Sequence, residues 1–433
     1  MTLPFQHFVE PAMQTTVGAG GLSETLYTTL LERAAPAVQN IREGLSAGDL
    51  PCFGLASRRD DLQMLKPHAA HIRDSFRTCV VLGTGGSSLG AQTLLALAPA
   101  EERQRMIFPE NLDGRAFAEL LAGLDPAATF FLSVSKSGST TETLAQTLVV
   151  LGWLAANDRA AAKHVLAIAE PGDNPLRRLT ARHGIETLDH DPKVGGRFSV
   201  LSLVGLLPAM IAGLDVQGIR AGAAQLFEAT LAESDAPPVA GAAVMVGLAA
   251  ERQRGQQVIM PYAGTLERFS MWHRQLWAES LGKDGRGLTP VAALGPVDQH
   301  SQLQLWLDGP ADKSFTVLTV AEPDAGPAID PALIDDPALS YLSGQSLGAI
   351  VQVQARATIE TLVGKGHPVR MIRLPRLDER ALGGLLMHFM LETVIAAHLL
   401  AVDPFGQPAV DSGKKLTRDY LAAGARKSTG ATG

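Results

Sequence analysis

Apolar residues recur along this chain in two rhythms. In the first 75 positions they fall at helical intervals, in LSETLYTTLLERAAPAVQNIREGL and again in RDDLQMLKPHAAHIRDSF. The pattern then changes to short apolar runs, TCVVLGTGG, ATFFLSVSK, HVLAIAEPG and GIETLDHD, that alternate with helix-length segments. Strand alternating with helix predicts a parallel sheet covered on both faces. After Asp215 the rhythm weakens and restarts. QLFEATLAESDAPPVAGAAVM carries Pro237 and Pro238 among small residues, which predicts a boundary or lid. QQVIMPYAG, KSFTVLTVAEP and HPVRMIRLP then read as a second series of strands.

The expected fold is therefore α/β, with two doubly wound parallel-sheet domains at residues 76–220 and 221–400. A helical N-terminal segment, 1–75, precedes them, and a C-terminal helical arm and tail, 401–433, follows. The small polar stretch AAGARKSTGATG after Leu421 is expected to be disordered.

Composition narrows the classes of partner. With 433 residues, 46% hydrophobic and 19% charged, the chain can bury a large core and is not a disordered segment. The net charge of -7 weighs against nucleic acid, whose backbone is bound by basic surfaces, yet leaves room for a small anion in a local cluster. Cys52 and Cys79 are too few for a disulfide framework and lack metal-ligand spacing. The start, MTLPFQHFVEP, has neither a basic n-region nor an apolar h-region, so a cytoplasmic protein is expected. FSVLSLVGLLPAMIAGL at 198–214 comes nearest to membrane-spanning length, but serines and Pro208 interrupt it. A buried helix, and no membrane partner, is the expectation there.

Two strand-to-helix turns carry more small and hydroxylated residues than turn geometry needs. In CVVLGTGGSSLGAQTLL, Gly83, Gly85 and Gly86 let the backbone approach a ligand, and Ser87 offers a hydroxyl near a helix start. In SVSKSGSTTET, Ser135, Ser137, Ser139, Thr140 and Thr141 surround Lys136. Both turns lie at carboxyl ends of predicted strands, where open α/β sheets bind ligands. The first turn fits the dinucleotide pattern poorly, because its third glycine is displaced, and neither turn ends in the P-loop's Gly-Lys-Ser/Thr. One such turn is explained by turn formers and caps; two in one sheet, with a lysine, predict a phosphate monoester.

Further along, VGGRFS sets Arg197 after two glycines, a position that suits a structural ion pair or an anion that forms during a reaction. In TLERFSMWHRQLWAESLGKDG, aromatics at helical spacing mark a core-facing helix that Gly282 closes. Gln275 and Glu279 are four apart and share one face, with Glu279 expected to be partly enclosed as a general base. GPVDQHSQLQLWLDG places His300 at the start of another helix, in a structural or a catalytic role. PFGQPAVDSGKKL puts Gln407 in a turn and Lys414 two helical turns later. No metal-ligand pattern of the His-Glu-x-x-His or paired-cysteine kind is present, so no metal is expected.

In their order, GTGGSSLG, SKSGSTTET, VGGRFS, QLWAESLGK, DQHSQLQ and PFGQPAVDSGKK resemble the phosphoglucose isomerase family, whose members are built from two sugar-isomerase (SIS) domains. The resemblance implies reversible isomerisation of glucose 6-phosphate to fructose 6-phosphate through a cis-enediolate, after ring opening and without a cofactor. It implies that Glu279 moves the proton between C2 and C1, that Arg197 stabilises the enediolate, and that His300 and Lys414 open the ring. Gly86, Ser87, Ser135, Lys136, Ser137 and Thr140 correspond to the phosphate-binding turns, and Gln275 and Gln407 to glutamines lining the substrate site. It further implies a homodimer in which His300 reaches the partner's site. The chain departs from the family pattern at Ser137, where Thr is usual, and at Gly138 and Ser139, which shrink an aromatic-bearing loop. Gly406 and Asp411 stand where Asp and Glu are usual, and Met390 where many members carry an acid.

Overall fold

The computed structural model describes residues 3–429, with side chains through Ala423. The helical reading of residues 1–75 omits one short strand, β1 (Gln6–Phe8), which joins a sheet formed by distant residues. The two periodic stretches form α1 (Glu24–Ser46) and α2 (Asp60–Ser75), whose buried stripes are Leu30, Ala34, Ala37 and Ile41, and Leu62, Leu65, Ala69 and Ile72.

The first sheet holds β2 (Thr78–Leu82), β3 (Met106–Ile107), β4 (Thr129–Val134), β5 (Val165–Ala169) and β6 (Thr187–Asp189). All pair in parallel, in the order β3-β2-β4-β5-β6. Consecutive connections leave β2 in one direction and return past it to β4, so the strand order reverses between these two. That reversal opens a crevice at their carboxyl ends. Both hydroxyl-rich turns leave from there, one into α3 (Leu89–Leu95) and the other into α4 (Thr141–Ala156).

The second sheet has the order β1-β10-β9-β7-β8, parallel except for β1, with β7 (Gln256–Pro261), β8 (Thr289–Ala292), β9 (Lys313–Val320) and β10 (Val369–Leu374). β3 and β8 escape the apolar-run pattern because β3 is two residues long and β8 is an edge strand containing Pro290.

Three expectations are corrected. Residues 198–214 split into a 3-10 turn, Gly196–Leu201, and the buried α5 (Leu203–Ile211). α6 (Val216–Ala232) follows, and Pro237 and Pro238 then open a helix, α7 (Pro237–Arg252), instead of marking a lid. Proline is favoured in a first turn because its missing N–H has no intrahelical partner to lose. The C-terminal stretch continues as helix: beyond α8 (Glu267–Leu281) and α9 (Glu379–Leu399), α10 spans Asp411–Thr429. Residues 430–433, at the end of the predicted disordered tail, lie outside the described residues.

Among the described residues α9, not 198–214, is the helix long and apolar enough to cross a membrane, and it lies almost wholly buried in the core. It packs against α1, α6, α7 and α8. At its centre is a buried polar cluster. Arg370 Nη1 on β10 donates to Glu392 Oε2 at 2.6 Å, and Arg370 Nε to Thr316 Oγ1 at 3.1 Å. His388 Nε2 is 2.9 Å from the same Glu392 oxygen, and the His7 ring of β1 lies 5.5 Å from that of His388. The cluster brings the N-terminal strand, through the partly buried His7, against Arg370, His388 and Glu392, which are fully removed from water. Met390 lies beside it as an apolar core residue.

Burial would raise the Glu392 carboxyl, but the Arg370 charge and the His388 hydrogen bond outweigh it and bring the pKa to about 2. Burial pushes His273 down to about 3 and lowers His7 and His388 as well. A depressed carboxylate stabilises the fold above its unfolded value of 4.5, and a depressed imidazole above 6.5, so both contributions are lost as pH falls. The melting temperature is therefore expected to decline as pH is lowered from 6.5. Glu392→Gln, which leaves Arg370 unpaired, should cost about 3–5 kcal/mol in denaturant unfolding at pH 7. A flat melting profile between pH 7 and 4 would contradict this account.

Candidate functional site

The turn after β2 is held by backbone packing. A Cβ added to Gly86 would lie 2.3 Å from the Gly196 carbonyl carbon and 2.8 Å from the Arg197 nitrogen. Ser199 Oγ donates to Gly86 O at 3.2 Å. The sequence reading gave Gly86 to the approach of a ligand; in the structure its missing side chain lets the β2 turn lie against the turn carrying Arg197. The Ser87 hydroxyl, half-buried, makes no hydrogen bond among the described residues and is free to donate.

The turn after β4 is internally bonded. Ser135, fully buried, donates its hydroxyl to Thr140 Oγ1 at 2.9 Å, and the Ser137 and Ser139 hydroxyls are 2.9 Å apart. Gly138 has φ +61°, and a Cβ there would lie 1.9 Å from Asn174 Oδ1. Asn174 caps the helix Pro175–Arg182, accepting from Arg177 N, so its carboxamide fills the space beside Gly138. That neighbour accounts for the small loop. Lys136 turns away from the hydroxyls and donates to Pro192 O at 2.7 Å. Burial lowers its pKa.

Arg197, 4% exposed, is the most constrained group of the site. Its Nε donates to Ser280 Oγ at 2.7 Å, and Nη1 to Glu279 Oε2 at 3.2 Å and Gln407 Oε1 at 2.5 Å. Nη2 donates to Pro404 O and, at 3.0 Å, to Gly406 O. A guanidinium has five N–H groups, so every donor is used. Burial lowers its pKa, Glu279 opposes that shift, and the group stays a cation. On the other side of the carboxylate, Gln275 Nε2 donates to Glu279 Oε1 at 2.9 Å.

α8 supplies this arrangement by having two faces. Phe269, Trp272, Leu276 and Trp277 are buried in the core, while Gln275 and Glu279 line the other side as their four-residue spacing predicts. Glu279 is partly enclosed, with 30% of its side chain exposed, but by Arg197 and Gln275 and not by the aromatics of its helix. Gly282 ends α8 with φ -75°, without the left-handed turn that a glycine there often provides.

Two residues missed by the sequence reading belong here, Ser280 and Lys283. Lys283 Nζ donates to Asp403 O and, at 2.6 Å, to Phe405 O. Their signal was present in the run AESLGK, where each follows the base candidate at short spacing.

Two cavities meet at α10. One, of about 610 Å³, is lined by Lys136, Lys193, Arg197, Gln407, Asp411 and Lys414. The other, of about 520 Å³, is lined by Thr84, Ser137, Ser139, Thr140, Lys414 and Arg418 among others, with the carboxylates Glu142 and Asp411 on its wall. Lys414 faces both cavities and is 3.4 Å from Asp411. The structure thus brings together Arg197, Glu279, Gln275, Gln407, Lys414 and the two turns. His300 stands apart: it is exposed on the short helix Val297–Ser301 and its side chain makes no hydrogen bond or ion pair among the described residues. Among those residues, no group of three or more His, Cys, Asp or Glu could hold a metal.

This arrangement has relatives. A family model described as phosphoglucose isomerase matches residues 68–289. A glucose-6-phosphate isomerase of Rubrobacter xylanophilus is 40% identical over 412 residues, 92% of this chain and 94% of that one. One of Thermus thermophilus is 38% identical over 349 residues, 79% of this chain and 83% of that one. Among solved structures, a hypothetical protein of Thermus thermophilus superposes with a TM-score of 0.85 at 33% identity, covering 96% of this chain and 100% of that chain. A glucose-6-phosphate isomerase of Chlamydia trachomatis shares the fold, with a TM-score of 0.73 at 23% identity over 84% of this chain and 74% of that chain.

The Gly86 contact can be tested directly. Gly86→Ala forces the β2 turn away from Gly196 and should cost about 1–3 kcal/mol, as overpacking does. Gly114→Ala, where a Cβ meets nothing within 4 Å, is the control and should leave the unfolding midpoint unchanged. Equal midpoints for the two variants would show that the turns are not in contact.

Proposed function

Because the chain belongs to the phosphoglucose isomerase family and its activity is the interconversion of glucose 6-phosphate and fructose 6-phosphate, we propose that Glu279 is the base of that reaction. The observation that carries this reading is the pairing of a half-buried carboxylate with a buried arginine beside the crevice between β2 and β4.

Glu279 takes the proton from C2 and returns it to C1, one carbon over. Positioned acid-base catalysis of this kind contributes about 10²–10⁴-fold. Gln275 and Arg197 each bond a different Glu279 oxygen, which holds the carboxylate in one orientation. The positive charge of Arg197 stabilises the enediolate oxygen. All five of its donors are engaged in this structure, so a direct hydrogen bond to that oxygen replaces one of them, and the exposed Gln407 carboxamide is the easiest to displace.

Ser87, Ser137 and Thr140 hold the substrate's phosphate, away from the bonds that change. Binding energy realised there positions C1 and C2 against the base. Lys136 acts as a nearby positive charge more than as a ligand, since its ammonium is tied to Pro192 O. Lys414, shared by both cavities, and His300 assist ring opening. The exposed position of His300, away from Glu279 of its own chain, supports a homodimer in which it completes the partner's site. The family's activity fits a cytoplasmic enzyme.

Two measurements test these assignments. In a coupled assay with fructose 6-phosphate, Glu279→Gln should lose at least about 100-fold in kcat, while inorganic phosphate still raises its melting temperature. Normal turnover by this variant would remove Glu279 as the base. For the shared site, mixing Glu279→Gln with His300→Ala subunits should restore about one quarter of wild-type activity, because half of the dimers are hybrids and each hybrid has one intact site. No recovery after subunit exchange would place His300 outside the partner's site.

A further inference from the structure

The segment joining α9 to α10 presents four consecutive carbonyls to two cations. Lys283 Nζ binds those of Asp403 and Phe405, and Arg197 Nη2 binds those of Pro404 and Gly406. The contacts alternate along the chain, so the two side chains grip the strand from different directions. Gln407 follows at once, and α10, with Lys414, begins at Asp411. Phe405 adds an apolar contact with Phe198, ring centroids 5.5 Å apart.

We propose that Lys283 is a positioning residue for the isomerisation, which clamps residues 403–406 together with Arg197 and thereby sets the reach of Gln407 and Lys414 into the site. The proposal rests on the roles given above to those two residues. Its physical basis is the balance of donors. Arg197 has one nitrogen, Nη2, for the strap and needs the rest for Ser280, Glu279 and Gln407, so it cannot satisfy the carbonyls of Asp403 and Phe405 as well. Without Lys283 those two acceptors lose their charge-assisted partner, and the strap is held on one side only. Burial lowers the pKa of Lys283, consistent with an ammonium drawn in from solvent.

The test compares Lys283→Met and Lys283→Arg with the full-length wild type. Lys283→Met is expected to lower kcat for fructose 6-phosphate about 10- to 100-fold, the effect of misplacing a reacting constellation by about an ångström. KM should change less than kcat, since the hydroxyls of the two turns are untouched while Lys414 and Arg418 of the same cavity follow the strap. Lys283→Arg, which keeps a cation at the same place, should recover most of the loss. Amide hydrogen exchange, measured without substrate, should accelerate in peptides covering residues 403–415 and remain unchanged in the β2 and β4 turns. The proposal is overturned by unchanged exchange in 403–415, by a kcat within twofold of wild type, or by exchange that rises throughout the molecule. The exchange measurement needs no turnover, so it separates failure of the clamp from failure of the isomerase reading, which would appear as an inactive wild type.

Discussion

A buried guanidinium must find an acceptor for each of its N–H groups, and Arg197 meets that requirement by drawing two separate parts of the chain around itself. α8 contributes Ser280 and Glu279, the segment after α9 contributes two carbonyls and Gln407, and the Gly195–Gly196 turn brings the arginine close to the β2 turn. Loss of one partner would leave a desolvated donor, which is costly, so the parts constrain one another. The Glu279 carboxylate is fixed in the same way. Its two oxygens face Arg197 and Gln275, and the helix that carries both Gln275 and Glu279 is anchored in the core by Trp272 and Trp277. Precision at the site comes from the packing beneath it.

Much of this could be read from the sequence because it is written in side chains with distinct periodicity. β2, β4, β5, β7, β9 and β10 are short strand-length stretches rich in apolar and β-branched residues, and Gln275 and Glu279 share a face because a helix turns once in 3.6 residues. What escaped has a common cause. β1 and β3 are too short to show a period, and β1 is defined by its distant partner β10. The acceptors for Arg197 and Lys283 are largely backbone carbonyls, which every residue has and no residue type announces. Pro237 and Pro238 were misread because a proline pair marks the start of a helix as readily as a break in the chain.

The direction of Lys136 shows where residue type alone misleads. A lysine amid hydroxyls reads as part of the phosphate cage, but its side chain is long enough to choose another acceptor, and it takes Pro192 O. The hydroxyl-lined cavity finds its cations on α10 instead, in Lys414 and Arg418. Likewise the small residue at Gly138 of the β4 turn is matched by Asn174, some 35 residues on, whose carboxamide occupies the volume that a side chain there would need. In both places the deciding neighbour is remote in sequence.

The alternation of carbonyls along residues 403–406 gives this connection a phase. Surface loops ordinarily accept extra residues, because a longer loop costs little closure entropy. Here one inserted or deleted residue would hand the carbonyls of Lys283 to Arg197 and those of Arg197 to Lys283, reversing the grip and shifting Gln407 by one position. Length variation among descendants of this chain should therefore be excluded from the strap.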